Sequence, residues 1–248
     1  MSSLAFSLIL ITTLLTSFLS GIFGMAGGLI LMAVLISLVS VAMAMIIHGG
    51  IQMFANGYRA YLLRGYIQWR VVGYYSVGAV FGVLALIFVS WTPDKQALYL
   101  LLGLTPLLIW LPKERLHLNI RKPTHAVFAG FGVQGLNTLA GVAGPLLDLF
   151  FIRAQMTRHQ IVATKSITQA LSHLIKIGFW SVPLIYAAGW QAMPPIWLFV
   201  LAIPLSMLGT RLGKQVLERM SETAFQKGMK GLVTAIGGVL LLRAAGLY

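Results

Sequence analysis

The chain has 248 residues, of which 58% are hydrophobic and 9% charged, with a mean hydropathy of +0.89. One soluble core cannot house so many large apolar side chains, which excludes a soluble domain. The formal net charge of +13 does not mark a nucleic-acid binder, because Lys and Arg cluster between apolar runs, as in cytoplasmic loops.

Apolar runs come in two sets of five. The first set covers roughly 4–22, 28–44, 45–63, 71–91 and 96–112, and the second roughly 124–140, 145–152, 160–180, 195–213 and 224–242. No basic region precedes the first run and equally apolar runs follow it. It therefore reads as a first membrane helix rather than a cleaved leader. Most runs approach the ~20 residues that cross a bilayer. Run 145–152 is too short and reads as a half-helix or part of a re-entrant hairpin, so eight full crossings are the alternative to ten segments. A basic loop holding Lys113, Glu114, Arg115, His117, Arg121 and Lys122 separates the sets. The expected organisation is a first transmembrane repeat over 1–118 and a second over 119–248, together forming one transport domain. The expected fold class is an all-α polytopic membrane protein with two inverted-topology repeats.

The repeats are visible residue by residue. Gly24-Met-Ala-Gly-Gly-Leu29 returns 117 residues later as Gly141-Val-Ala-Gly-Pro-Leu146. His48, Gln52, Asn56 and Arg59 return at the same offset as Lys165, Gln169, His173 and Lys176. Steps of four, four and three place each polar set along one helix face. The loops carry opposite charge bias in the two halves. The stretch around Arg64 and Arg70 is basic, whereas its counterpart at Ser181–Pro195 is uncharged. The stretch near Ser37–Val41 is uncharged, whereas Arg153, Arg158 and His159 occupy its counterpart. Basic loops face the cytoplasm, so equivalent loops face opposite sides and the repeats are inverted. Both termini are then outside and the 113–122 loop inside.

Each feature has a bland reading beside a functional one. Gly24, Gly27 and Gly28, and later Gly141, Gly144 and Pro145, break helices. They serve either close helix packing or an unwound turn whose free amides hold an anion. Gln52 and Asn56, with Gln169 and His173, either bond helices together or line a solute pathway. They do not face lipid, where polar groups are costly. Arg59 and Lys176 are expected near helix ends, where they could snorkel. His48 and Lys165 fall at the opposite ends, so each stripe runs the depth of its helix. Asp148 is the one acid placed inside a span, and Leu31 aligns with it. It should be protonated or paired with Arg153, Lys165 or Lys176, serving proton coupling or a structural ion pair. Trp69, Tyr74, Tyr75, Trp91, Trp180, Tyr186, Trp190 and Trp197 fit an interfacial aromatic belt. Asn137 and Thr138 precede the second glycine turn as possible donors. The sequence holds no hydrolase elbow, zincin helix or phosphate loop. Five acids in all make a carboxylate metal site improbable. Neither enzyme activity, cofactor nor metal is expected. With no cysteine, disulfides and zinc–cysteine sites are excluded.

At Ser20-Gly-Ile-Phe-Gly-Met-Ala-Gly-Gly-Leu29, Leu63-Arg-Gly-Tyr-Ile-Gln-Trp69, Gly141-Val-Ala-Gly-Pro-Leu146 and Ala163-Thr-Lys-Ser166, the chain resembles the sulfite exporter TauE/SafE family of bacterial membrane proteins. The Leu63–Trp69 stretch is similar to the family's "RRGxIDW" element, with Gln68 where Asp is common. Gly24-Met-Ala-Gly-Gly28 stands where Gly-Gly-Gly is frequent. The resemblance implies a secondary transporter of the bacterial cytoplasmic membrane, exporting sulfite, sulfoacetate or a related organosulfonate. The implied substrate is a small anion; the residues themselves leave open a coupling proton carried by His173 or Asp148, and the bilayer is the other expected partner. An anion channel, or a membrane subunit that anchors a soluble partner, is the alternative.

Because the chain has no native cysteine, single cysteines at positions 66 and 185 report sidedness cleanly. Impermeant maleimide is expected to label position 185 from outside and position 66 only after permeabilisation. Labelling of both from one side refutes the inverted arrangement.

Overall fold

The computed structural model describes residues 2–23, 26–89, 92–111, 117–151 and 153–247. All regular elements among these residues are helical. A helix satisfies its own backbone hydrogen bonds, which is what a chain in lipid requires. Helices α1 (Ser3–Phe23) and α2 (Ala26–Leu38) follow in order, and Gly27 and Gly28, expected to break a helix, lie inside α2. Ser40 caps α3 (Val41–Leu62), its hydroxyl accepting from the Met43 amide at 3.4 Å. A short 3-10 turn, Arg64–Tyr66, leads into α4 (Trp69–Val89). Asp94 caps α5 (Lys95–Leu104) by accepting from the Ala97 amide at 2.8 Å, and Thr105-Pro106 separates it from α6 (Leu107–Trp110).

The second half follows the same order. Pro123 opens α7 (Pro123–Ala140), where a missing amide proton does no harm. Gly141 closes it at φ 82°, a left-handed conformation that glycine adopts without strain. The eight-residue α8 (Gly144–Phe151) precedes α9 (Arg158–Ala188), which starts at a capping box made by Thr157 and Gln160. α10 (Ile196–Leu217) and α11 (Glu222–Ala244) complete the chain.

Run 145–152 is thus α8, one helix too short to cross. Three other boundaries differ from expectation. The break near residue 44 lies instead at Val39–Ser40, where the Ser40 hydroxyl takes over an orphan amide. The run at 96–112 is divided by Pro106. The run at 160–180 continues through Pro183 to Ala188, so residues 181–188 are helix rather than loop.

Four helices among the described residues are long and apolar enough to cross a membrane: Ser3–Phe23, Trp69–Phe88, His159–Ala188 and Trp190–Leu217. Large apolar side chains such as Phe88, Phe128, Val182 and Tyr186 stand on the outer surface. Lys176, Gln134, His48 and Asn56 are buried inside. Polar groups inside and apolar groups outside suit lipid as the solvent. The chain is an all-α polytopic membrane protein. Tyr75 and Trp180, expected in an interfacial belt, are buried instead. Each spends its polar atom inside the protein, Tyr75 on Ser172 Oγ at 2.7 Å and Trp180 on the Thr138 carbonyl at 2.9 Å. Trp69, Trp190 and Trp197 are exposed, while Trp91 lies outside the described residues.

Glycine sets the closest helix pairs. A Cβ on Gly78 or Gly82 of α4 would meet the backbone of Val127 or Phe131 on α7, and one on Gly130 would meet Tyr75. A Cβ on Gly209 or Gly213 of α10 would likewise meet the backbone of Leu14 or Phe18 on α1. Residue numbers rise together across both contacts, so α4 runs parallel to α7 and α10 parallel to α1. Helices α3 and α9, equivalent by the 117-residue offset, pack against each other in the opposite sense. Lys176 meets His48, and Thr164 meets Gln68 at the other end. Helices α5 and α11 are also antiparallel, with Gln96 on the Ala244 carbonyl and Trp110 on Thr234. Exchanging the two halves maps these four packings onto one another.

The Tyr66 ring stacks on His159 at 5.1 Å, and the Ile120 amide donates to the Phe150 carbonyl at 2.7 Å. Arg64 and Arg70, Arg121 and Lys122, and Arg153 therefore gather at one end of the bundle. Position 185 lies 26 residues along α9 from His159, about 39 Å away at 1.5 Å per residue.

Gly78→Leu is expected to destabilise the protein by at least ~2 kcal/mol, because backbone rather than a movable side chain fills the space. Gly73→Leu, on the same helix with nothing within 4 Å, is expected to change stability by less than ~0.5 kcal/mol. Thermal unfolding in detergent distinguishes the two.

Candidate functional site

The α3/α9 crossing carries the polar stripes. Each helix has to bury its stripe against the other, because the surrounding surface is apolar. A cavity of about 150 Å³ lies along this crossing, roofed by both glycine motifs. From α3 it receives His48, Gln52, Asn56 and Arg59, and from α9 Lys165, Ser166, Gln169, Ser172 and His173. Gly28 lines it beside Gln52. Asn137, Gly141, Val142, Ala143 and Gly144 line it from the second turn and the start of α8.

Most of the sequence candidates therefore meet in one place, across more than a hundred residues of chain. The exceptions are informative. A Cβ on Gly27 would meet Thr16 and Ser20, so this glycine serves the packing of α2 on α1 and does not line the cavity. Pro145 and Asp148 do not line it either. Gly24 lies outside the described residues. Lys176, expected near a helix end, sits in the middle of α9 at 0% exposure, because that helix continues to Ala188.

Lys176 anchors the sealed end of the cavity. Its Nζ donates to the Gly141 carbonyl at 3.0 Å and to His48 Nδ1 at 2.9 Å. His48 Nδ1 then accepts, and Nε2–H donates to the Gly28 carbonyl at 3.0 Å. This network assigns the tautomer. One buried chain of hydrogen bonds thus ties the two glycine motifs to each other through a residue from each half. The His173 ring stands edge-on to His48, with centroids 5.5 Å apart.

The opposite end is wetter and more basic. Lys165 is ion-paired with Asp148, and both side chains keep partial exposure, 24% and 32%. Arg59 lines the same end. Along the wall, the Asn56 amide donates to the Gln52 carbonyl at 2.9 Å. Asn137 Nδ2 and His173 Nδ1 are buried with no hydrogen-bond partner. Polar atoms in that state are costly unless a solute or water completes them. The lining residues thus include two cations and no carboxylate.

Sequence reasoning passed over Gln134 and Ser172. The Gln134 amide donates to Thr138 Oγ1 at 2.9 Å and the Ser172 carbonyl at 3.3 Å, bracing α7 against α9. The i,i+4 spacing of Gln134 and Thr138 in an apolar run was a usable signal. Ser172 offered none beyond adjacency to His173. The Gly78/Gly82 and Gly209/Gly213 pairs, at the four-residue spacing of close membrane-helix contacts, were also readable.

A polar cavity at the crossing of two equivalent helices, enclosed by lipid-facing apolar helices, has the form of a membrane transporter. The family model described as Sulfite exporter TauE/SafE matches residues 9–240, and the chain belongs to this family of membrane transporters. No curated protein and no solved structure matches the chain significantly.

His48→Leu removes an acceptor from the fully buried Lys176 Nζ and a donor from the Gly28 carbonyl. It is expected to destabilise the protein by roughly 1–3 kcal/mol. His48→Gln, whose amide can both accept and donate, should recover part of that loss. Thermal unfolding of the two variants side by side measures the difference.

Proposed function

We propose that the chain is a secondary transporter that exports a small sulfur-containing oxyanion across the bacterial cytoplasmic membrane. The observation that carries this reading is the cavity wall, where hydrogen-bond donors and two cations converge from both halves with no lining carboxylate. Amides, imidazole and guanidinium are the donors an oxyanion needs, and charge-assisted bonds of this kind are the stronger ones. The start of α8 adds the positive end of a short helix dipole.

Size favours sulfite. A cavity of about 150 Å³ accommodates a solute of benzene size, which has six heavy atoms. Sulfite has four heavy atoms and fits with room for water. Sulfoacetate has eight and would require the cavity to widen.

The repeats of this reading, 1–118 and 119–248, are inverted about an axis near Gln52 and Gln169. The antiparallel packing of α3 on α9 supports inversion, and so does the gathering of Arg64, Arg121 and Arg153 at one end. Positive loops mark that end as cytoplasmic. The cavity is sealed at the Lys176–His48 end and wetter at the Arg59–Lys165 end, as in an inward-facing state. Rocking of one half against the other then exposes the anion outside. An interior-negative potential favours expulsion by roughly 2.3 kcal/mol per charge per 100 mV.

Gln169→Ala is expected to cut sulfite efflux from proteoliposomes by ten-fold or more at unchanged protein level. Efflux by the unaltered protein should saturate, show counterflow and rise with an interior-negative potential. Unchanged flux in the variant refutes the site, and ohmic single-channel currents in planar bilayers would establish the channel instead.

A further inference from the structure

Asp148 breaks the internal symmetry of the site. His48 and Lys165 are equivalent by the 117-residue offset, as are Gly28 and Pro145, and Leu31 occupies the position equivalent to Asp148. In the first half, His48 holds the carbonyl of Gly28 at 3.0 Å. In the second half, Lys165 does not hold the Pro145 carbonyl. It reaches one helical turn further along α8 and pairs with the Asp148 carboxylate. Lys165 lines the cavity and Asp148 does not, so the carboxylate takes the ammonium from outside the wall. Among the described residues, the other acids, Asp94, Glu218 and Glu222, lie at helix ends, as an N-cap, a C-cap and a first residue respectively.

Both side chains of this pair keep partial exposure, in contrast to the fully buried Lys176. A part-exposed ion pair contributes little to stability, so a second anion can compete for its cation. We propose that Asp148 is a built-in competitor for the substrate: in the empty protein its carboxylate neutralises Lys165, and the transported anion displaces it. Asp148 is therefore a positioning residue that sets substrate affinity and never touches the substrate. Because Asp148 sits on α8 and Lys165 on α9, displacement also releases the clasp between these helices as the anion arrives. The carboxylate holds affinity low enough for release and lets the empty site exist without an uncompensated ammonium.

This inference rests on the oxyanion reading of the cavity, and sulfite is the probe. Binding is followed by thermal stabilisation of the purified full chain in detergent across a sulfite titration. Asp148→Asn and Asp148→Ser are expected to bind sulfite about ten-fold more tightly than the unaltered protein. Asp148→Glu, which keeps the charge, should stay within about two-fold. Lys165→Met should weaken binding, and adding Asp148→Asn to it should restore nothing, because the competitor acts through Lys165 alone. Unaltered protein that responds to sulfite, with neither neutral variant binding more tightly, overturns the proposal and leaves the oxyanion reading standing. An affinity gain that persists in the Lys165→Met background overturns it as well. No response to sulfite in any of these proteins defeats the substrate reading, and this inference falls with it.

Discussion

The structure depends on the need to bury two polar helix faces in a chain whose outer solvent is apolar. Helices α3 and α9 each carry four polar positions, and neither stripe can face lipid without leaving donors and acceptors unmet. Antiparallel packing of one on the other resolves most of this. Lys176, fully buried, is made tolerable by the Gly141 carbonyl and His48, and His48 in turn by the Gly28 carbonyl. Asn137 and His173, which line the cavity, each keep a buried nitrogen with no hydrogen-bond partner. The site is thus the remainder of the same accounting that holds the bundle together.

Rigid and adjustable parts are separated by chemistry. The α4/α7 and α1/α10 pairs are in backbone contact through glycine, which leaves little room for sliding. Helices α2 and α8 are short, and they are held at the cavity by few polar contacts. At one end the hold is a buried hydrogen-bond chain. At the other it is a part-exposed ion pair between Asp148 and Lys165. The two ends of the cavity are therefore held by unlike chemistry.

Much of this was legible in the chain itself. The offset of 117 residues relates the two glycine motifs, and steps of four, four and three mark the stripes. Both signals are local or periodic, and helices preserve periodicity in three dimensions. The half-helix at α8 followed from its length alone. Helix ends were less legible. Ser40 ended α2 through a cap where apolar sequence continued, and Pro183 failed to end α9. Placing Lys176 depended on that second boundary, which is why a presumed end-of-helix cation proved to be the most buried charge in the site.

Read alone, the chain already specifies a membrane protein with a glycine motif and a polar stripe that each recur 117 residues on, which residues are polar where lipid forbids it, and which loops are basic. Composition and periodicity suffice for these, because each is a property of one segment and its solvent. Which polar residue meets which emerges only in three dimensions: Lys176 with His48, Asp148 with Lys165, Gly27 for packing and Gly28 for the cavity wall. Those choices turn on distances of a few ångströms between segments far apart in the chain, and on the tilt and rotation of helices that no single segment encodes.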